Sequence, residues 1–422
     1  MDDWVIHKFG GSCLRTPGDL DQIHRRLLTS EGRPLIVVSA LWGVTDRLLR
    51  AIGEPWQWSS LVNDLRRQHL RFTPELESGK HGPRFMNILE ELAVELLRLC
   101  QDPEDEVCKA SILASGERLA SIMLIEAFQR RGLECSAVDS DVLGMMISEN
   151  GSAIDIESSA ECIDLSMFKE RVAVVSGWFG KDVNGDIRVL DRGGSDLSAA
   201  ALAQILEATR VILWKDVPGV LSVSPQWGIE SQTIPYLGVE EALALARAGG
   251  VVLHAACIET LRGTGIPCEI RALHKDGPYT TIGPDMETDG MTITAISCTP
   301  GIIHHSIHTI GDRTGAVLNQ VMELLKNEAV KIWFLKVGEG HISLFVPSSL
   351  THSLMHTLDG FEVAWQKSDP ASLFSLIGSN IEHDHPTAIA TMSENHALHF
   401  LSDETDPGSL IQTLVKEFQL TT

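Results

Sequence analysis

Two kinds of apolar run alternate along the first two thirds of the chain. Short apolar, β-branched blocks at 5–9, 35–40, 135–139, 172–178 and 210–216 read as strands, several of them continuous enough to be buried on both faces of a parallel sheet. Between them, apolar residues recur at steps of three and four, as in Leu89, Leu92 and Leu96, and predict helices. These fall at 20–28, over 59–100 as a helical hairpin broken near Thr73-Pro74 and Gly82-Pro83, from Ala114 onward, and at 197–206 and 239–248. Asp182-Val183-Asn184-Gly185-Asp186 carries the Asn-Gly signal of a type I′ hairpin turn. Strand and helix in alternation predict an α/β fold with a largely parallel sheet.

The pattern changes at Gly283-Pro284-Asp285-Met286-Glu287-Thr288-Asp289-Gly290, a polar stretch that predicts a domain boundary. Domains are therefore expected at 1–285 and 290–422. Beyond the boundary, strands are predicted at 291–297, 302–310, 330–337 and 341–346, with an amphipathic helix at 315–325. The same order repeats more loosely over 361–400, giving an α+β tail.

Composition narrows the possibilities. A chain of 422 residues is long for one core, and 44% hydrophobic with 22% charged residues is ordinary globular usage. The net charge of −23 argues against nucleic acid or an anionic membrane as a partner, and it requires any site for anions to gather cations locally. The eight cysteines show no Cys-x-x-Cys spacing and are expected to be reduced. Asp2 and Asp3 are wrong for a signal peptide, and no run is apolar enough to cross a membrane, so a cytoplasmic location is expected.

Candidate chemistry lies in two glycine loops. Leu190-Asp191-Arg192-Gly193-Gly194-Ser195-Asp196 leads from a strand into a helix start, where unpaired backbone N–H groups and the positive dipole end favour an anion. Arg192 adds a fork for a carboxylate, while Ser195 or Asp196 could equally be a simple helix cap. Lys8-Phe9-Gly10-Gly11-Ser12 delivers a lysine from a strand onto a second glycine turn.

Together, Lys8-Phe9-Gly10-Gly11-Ser12, Ser115-Gly116-Glu117-Arg118, Gly177-Trp178-Phe179-Gly180 and Arg192-Gly193-Gly194-Ser195-Asp196 resemble, in order and separation, the signature blocks of aspartate kinases. That resemblance implies the amino-acid kinase fold, a largely parallel sheet in an αβα sandwich, followed by tandem, interleaved ACT-like domains. It implies ATP-dependent phosphorylation of the aspartate side chain in lysine, methionine and threonine synthesis, with Mg²⁺, an amino-acid effector at the ACT-like domains, and a homodimer or larger homo-oligomer. Lys8 is then matched to the transferred phosphoryl group, and Gly10, Gly11 and Ser12 to phosphate oxygens. Ser39, Thr45 and Ser195 are matched to the amino-acid substrate, Arg192 to its carboxylate and Glu117, expected at a helix mouth, to its ammonium. Asp196 is expected to orient Lys8 or to hold Mg²⁺ through water. For Ser39 and Thr45 the alternative is capping the following helix; for Glu117 it is partnering the helix dipole.

An aspartate side chain is already ionised at neutral pH, with an ordinary pKa of about 3.9, so no general base is required. The protein's work is to hold two anions in line and neutralise the moving charge, the metal arriving with the triphosphate. The nucleotide side departs from the family. Lys215-Asp216 stands where Thr-Asp is usual, Leu221 and Ser224-Pro225-Gln226 replace a tyrosine and an Asp-Pro-Arg, and Val251 replaces a lysine. Lys215 is expected to return the missing charge, with Asp216 also on the nucleotide side. Two other readings stay open: a kinase for another small amino acid or carboxylate, and a weakened catalyst kept as an amino-acid-sensing subunit. In the tail, Lys331-Ile332-Trp333-Phe334-Leu335-Lys336-Val337 suits packing rather than a cationic effector.

Overall fold

The computed structural model describes residues 3–249, 252, 254–309, 313–327, 333–361, 363–383, 385, 388–404 and 406–420. Val251, Lys331 and Ile332 lie outside the described residues. The chain forms two compact units: residues 1–220, 235–239 and 254–284 in the first, and 221–234, 240–253 and 285–422 in the second. The expected division at 285 therefore changes. Two stretches before it, 221–234 and 240–253, belong with the tail; Val223 bridges to Ile296 and Ser222 donates to the Leu420 carbonyl, contacts between residues distant in sequence.

The first unit is built on strands β1 (Trp4–Phe9), β2 (Arg33–Val38), β3 (Cys135–Val138), β4 (Val172–Ser176), β5 (Phe179–Lys181), β6 (Ile187–Val189), β7 (Arg210–Lys215), β8 (Tyr236–Gly238), β9 (Cys268–Ala272) and β10 (Thr280–Gly283). All but β5 and β6 form one eight-stranded sheet in the order β3-β4-β2-β1-β7-β9-β10-β8, parallel except for β10 against β9. Its helices are α1 (Gly18–Leu28), α2 (Val44–Gly53), α3 (Trp58–Phe72), α4 (Gly82–Leu99), α5 (Glu106–Arg130), α6 (Ser140–Leu143), α7 (Ile156–Cys162) and α8 (Gly194–Ile205). Then come α9 (Val239–Arg247), which passes into the second unit after Val239, and α10 (Ala255–Leu261). Odd positions of β1, such as Val5 and Phe9, join the core made with α1, α4 and α5, while α8 packs on β1, β2 and β7. Covered on both faces, the strands read as continuous apolar runs.

Three local expectations change. Glu117 does not open a helix: α5 starts at Glu106, where the Asp105 carboxylate accepts from the Cys108 amide, and Glu117 sits in its middle. Gly116 is there for close approach, since a Cβ would meet the Ala40 Cβ at 3.0 Å and Leu48 Cδ1 at 3.1 Å. α8 starts at Gly194 rather than Leu197, and neither Ser195 nor Asp196 caps it; Gly193 does, at a φ of 86°. The 182–186 turn is not type I′, which needs positive φ at both central residues; only Gly185 has it, and the buried Asp182 carboxylate instead gathers the Asn184 and Asp186 amides and Arg188.

The second unit is antiparallel: β11 (Thr292–Thr309), β12 (Phe334–Gly338), β13 (His341–Pro347), β14 (Val363–Lys367), β15 (Ala371–Ser379), β16 (Ala388–Glu394) and β17 (Ala397–Ser402) form a seven-stranded sheet. It is flanked by α11 (Thr314–Asn327), α12 (Thr351–Leu358) and α13 (Pro407–Glu417). The two strands expected at 291–297 and 302–310 are one strand, β11, whose register slips between Pro300 and Ile302. It pairs with β13 in one half and β15 in the other, joining two ACT-like modules into one sheet.

Candidate functional site

Register builds the site. Lys8 lies opposite Val37 on β2 and Leu213 on β7, so Ser39 and Lys215, each two residues further on, emerge on the same face of the sheet. That face is covered by α8, whose first turn carries Ser195 and Asp196. Lys8 and Asp196 are 6% and 1% exposed, and Lys8 Nζ meets Asp196 Oδ1 at 2.7 Å while Lys215 Nζ meets Oδ2 at 2.9 Å. Burial opposes ionisation of Asp196, but Lys8 and Lys215 outweigh it and hold the carboxyl well below its ordinary range. For Lys215, burial pushes the ammonium value down and the Asp196 carboxylate more than restores it, so the net shift is upward.

Around this pair opens a cleft of about 410 Å³. It is lined by Lys8, Gly11, Ser12, Ser39, Thr45, Glu117, Arg192, Ser195, Asp196 and Lys215, joining the amino-acid side and the phosphate side predicted from sequence. Ser39 Oγ donates to Ser195 Oγ at 2.9 Å, tying the end of β2 to α8. Glu117 is 2% exposed; Oε1 accepts from the Ala40 amide at 3.1 Å, and Oε2 has no partner. Burial, opposed by the Ala40 and Glu117 amides and Lys8, raises this carboxyl to about 8. Arg192 is exposed at the cleft wall with no ion-pair partner among the described residues.

Two predicted residues stand elsewhere. Asp216 does not line the cleft; its Oδ2 accepts from Arg15 Nη2 at 3.1 Å, because the strand end turns it outward from Lys215. Gly10 is not a wall residue either but lies beneath Lys8, whose Nζ a Cβ there would meet at 2.9 Å. Sequence reasoning missed Trp42, Leu49, Trp178 and His254, which also line the cleft. Trp178 was within a recognised block, and its φ of 74° is unusual for a side chain of that size. Its amide donates to Ser198 Oγ and its indole to the Asp191 carbonyl, which hold the conformation. His254 follows Val251 closely, in a stretch read only for its missing lysine; it lies against Gly193, where a Cβ would come within 2.4 Å of the ring.

The set can do one kind of chemistry well. A glycine turn beneath a buried lysine and the glycine-capped start of α8 are suited to an anion, and a carboxyl group with a free oxygen and a guanidinium line the same cleft. Among the described residues no group of three His, Cys, Asp or Glu side chains is placed to hold a metal, and both Asp196 oxygens are occupied by lysines. Any Mg²⁺ would therefore be carried chiefly by phosphate oxygens, the usual arrangement for that ion.

Residues 3–272 match the model of the amino acid kinase family. Aspartokinase 2 of Arabidopsis thaliana is 28% identical over 307 residues, covering 69% of this chain and 56% of its own. Lysine-sensitive aspartokinase 3 of Escherichia coli is 27% identical over 284 residues, covering 63% and 61%. The chain spans 56% and 61% of these two relatives and 31% of a bifunctional aspartokinase/homoserine dehydrogenase from Zea mays. In fold, it superimposes on E. coli aspartokinase III in complex with aspartate and ADP with a TM-score of 0.80, at 21% identity, over 98% of this chain and 99% of that one. The aspartate kinase of Clostridium acetobutylicum gives 0.73 at 17% identity, over 99% of each chain.

Proposed function

Because the chain belongs to the amino acid kinase family, we propose that it transfers the γ-phosphoryl group of ATP to the side-chain carboxylate of L-aspartate, forming 4-phospho-L-aspartate for lysine, methionine and threonine synthesis. The observation that carries this reading is the meeting in one cleft of a buried carboxylate with a free oxygen, Glu117, and a free guanidinium, Arg192, beside the Lys8–Asp196 pair. An α-amino acid presents the complement to the first two, an ammonium and a carboxylate. The E. coli aspartokinase III neighbour holds aspartate and ADP, which supports the choice of ligands.

In this reading Arg192 holds the α-carboxylate in a two-pronged grip and Glu117 takes the ammonium, with Ser39, Thr45 and Ser195 supplying hydroxyls. The side-chain carboxylate then lies toward Lys8, already ionised. Lys8 neutralises charge on the group in transit, Asp196 aims its amine, and Gly10, Gly11 and Ser12 leave room for oxygens. Bound ATP with Mg²⁺ supplies the phosphoryl group and shields its charge. The ACT-like modules are read as the dimerisation and amino-acid effector region of a homo-oligomer. All eight cysteines are free, which suits the reducing cytoplasm.

Trapping acyl phosphates with hydroxylamine, across a panel of amino acids with MgATP, tests the reading. Aspartyl hydroxamate is expected. A different acyl product would rename the substrate, and no product with any acid would leave the sensing-subunit reading in its place.

A further inference from the structure

Asp196 is surrounded by more positive charge than it can balance. Lys8 and Lys215 each take one of its oxygens, and His254 Nε2 stands 4.0 Å from Oδ2, beyond hydrogen-bond distance. The three bases come from β1, β7 and the residue before α10, and all line the cleft. Two ammonium groups share one carboxylate, so the buried cluster carries a net positive charge and is incomplete without a further anion. The imidazole lies against the Gly193 turn, where only a glycine leaves it room.

Resting on the kinase reading, we propose that Lys215 and His254 are ligands of the nucleotide phosphates, completing with Lys8 a three-point receptor around Asp196 in which His254 gains a proton as the phosphates bind. Asp196 keeps the two ammonium ends together while the cleft is empty. When a polyphosphate arrives, each amine retains a carboxylate oxygen and adds a phosphate oxygen. The receptor accounts for how this chain can bind phosphates with its own set of cations: the second ammonium comes from β7.

The charged groups facing His254 are Asp196 on α8, Lys215 on β7 and Lys8 on β1. Burial lowers the imidazole value, Asp196 raises it and the lysines lower it, so the ring is neutral in the empty cleft at neutral pH. An arriving anion favours the protonated ring. Affinity for MgATP is then greatest at low pH, falls as pH rises from the free to the bound imidazole value, and is level above that.

The test compares wild type with K215A, K215R, H254Q and the K215A/H254Q double variant, at saturating Mg²⁺ from about pH 6 to 8.5. Steady-state kinetics are joined to calorimetric titration with MgADP and with inorganic tripolyphosphate. K215A is expected to lose at least about tenfold in kcat/KM for MgATP, about 1.4 kcal/mol, through KM rather than through the KM for the amino acid. Added ethylammonium should restore part of the loss, and K215R should keep most of the affinity. H254Q should flatten the dependence of the MgATP KM on pH. A nucleotide KM and tripolyphosphate Kd within about twofold of wild type in K215A, or an unchanged pH slope in H254Q, would overturn the receptor. Should K215A fail to fold, K215R and the H254Q pH profile decide it. If wild type phosphorylates nothing, the kinase reading fails separately; loss of tripolyphosphate binding in the double variant would still support the receptor, and equal binding would end it.

Discussion

The two units bury their polar groups in opposite ways. Among the described residues, every buried Lys, Asp or Glu lies in the first unit: Lys8, Asp19, Glu117, Glu126, Asp182, Asp196 and Glu269. Among the described residues, the polar side chains buried in the second unit are all Ser, Thr or His, and burial alone drives His399 down to about 3 while burial, with Lys367 and His304, takes His305 to about 4. A buried charge is costly unless it is paired, so it persists where pairing or chemistry requires it. A parallel sheet covered on both faces leaves its strand ends as the place where such groups can meet. Among the described residues, the interior of the antiparallel unit holds no Lys, Arg, Asp or Glu side chain.

The comparison breaks most readily at Asp196. Asp196→Asn strands two buried ammonium groups, so chemical denaturation should report a loss of about 3–5 kcal/mol, together with a fall in kcat of at least about a thousandfold. Lys8→Met leaves Asp196 paired with Lys215 and should cost clearly less stability; equal losses in the two variants would show that the bridge is not shared.

Next come the glycine loops. Gly194→Ala would press a Cβ to 2.4 Å from the Leu190 Cβ and 2.6 Å from Trp178 Cδ1, rigid neighbours, and should cost about 1–3 kcal/mol in a denaturant melt. Gly10→Ala presses on the end of the Lys8 side chain instead, which can shift but is paired with Asp196, so it should cost less in the melt than Gly194→Ala and raise the KM for MgATP.

A smaller effect is expected at Glu117. A substrate ammonium favours its ionised form, whereas the empty site favours the protonated form below about 8. The amino-acid KM should therefore fall as pH rises toward 8, by up to about tenfold per unit, and level off above. Glu117→Gln should abolish that slope, and a wild-type KM independent of pH would remove the ammonium role.

Least of all is expected in the second unit. Trp333 and Phe334 pack against the cluster of Ile302, Phe345, Ala371, Leu373 and Leu401, and among the described residues no buried carboxylate of this unit stands ready to hold a cation. Lysine at millimolar concentration should change the rate by less than about twofold; strong inhibition would contradict the contrast between the units.

What sequence made legible was local. The alternation of apolar blocks and helical periods is a consequence of backbone geometry, and it marked the parallel sheet, the helical hairpin around Thr73 and most strand positions. The two glycine loops were visible as residue patterns; in the second, the turn at Gly193, with a φ of 86°, excludes most side chains, while in the first Gly10 makes room for the Lys8 amine. Glu117 was found by its block but assigned the wrong setting: the helix begins at the Asp105 cap rather than at Ala114, and the glycine of the block is a close-approach position in its middle.

The sequence by itself determined the order of elements and the identity of the reactive groups, since periodicity and residue chemistry are carried by short stretches. Only the tertiary structure decided that Lys8 and Lys215 share the two oxygens of one carboxylate, that Asp216 turns away to Arg15, and that His254 comes to rest on Gly193. Those are matters of strand register and helix placement between segments up to about two hundred residues apart. No local pattern encodes such distances, because they follow from how the whole unit packs.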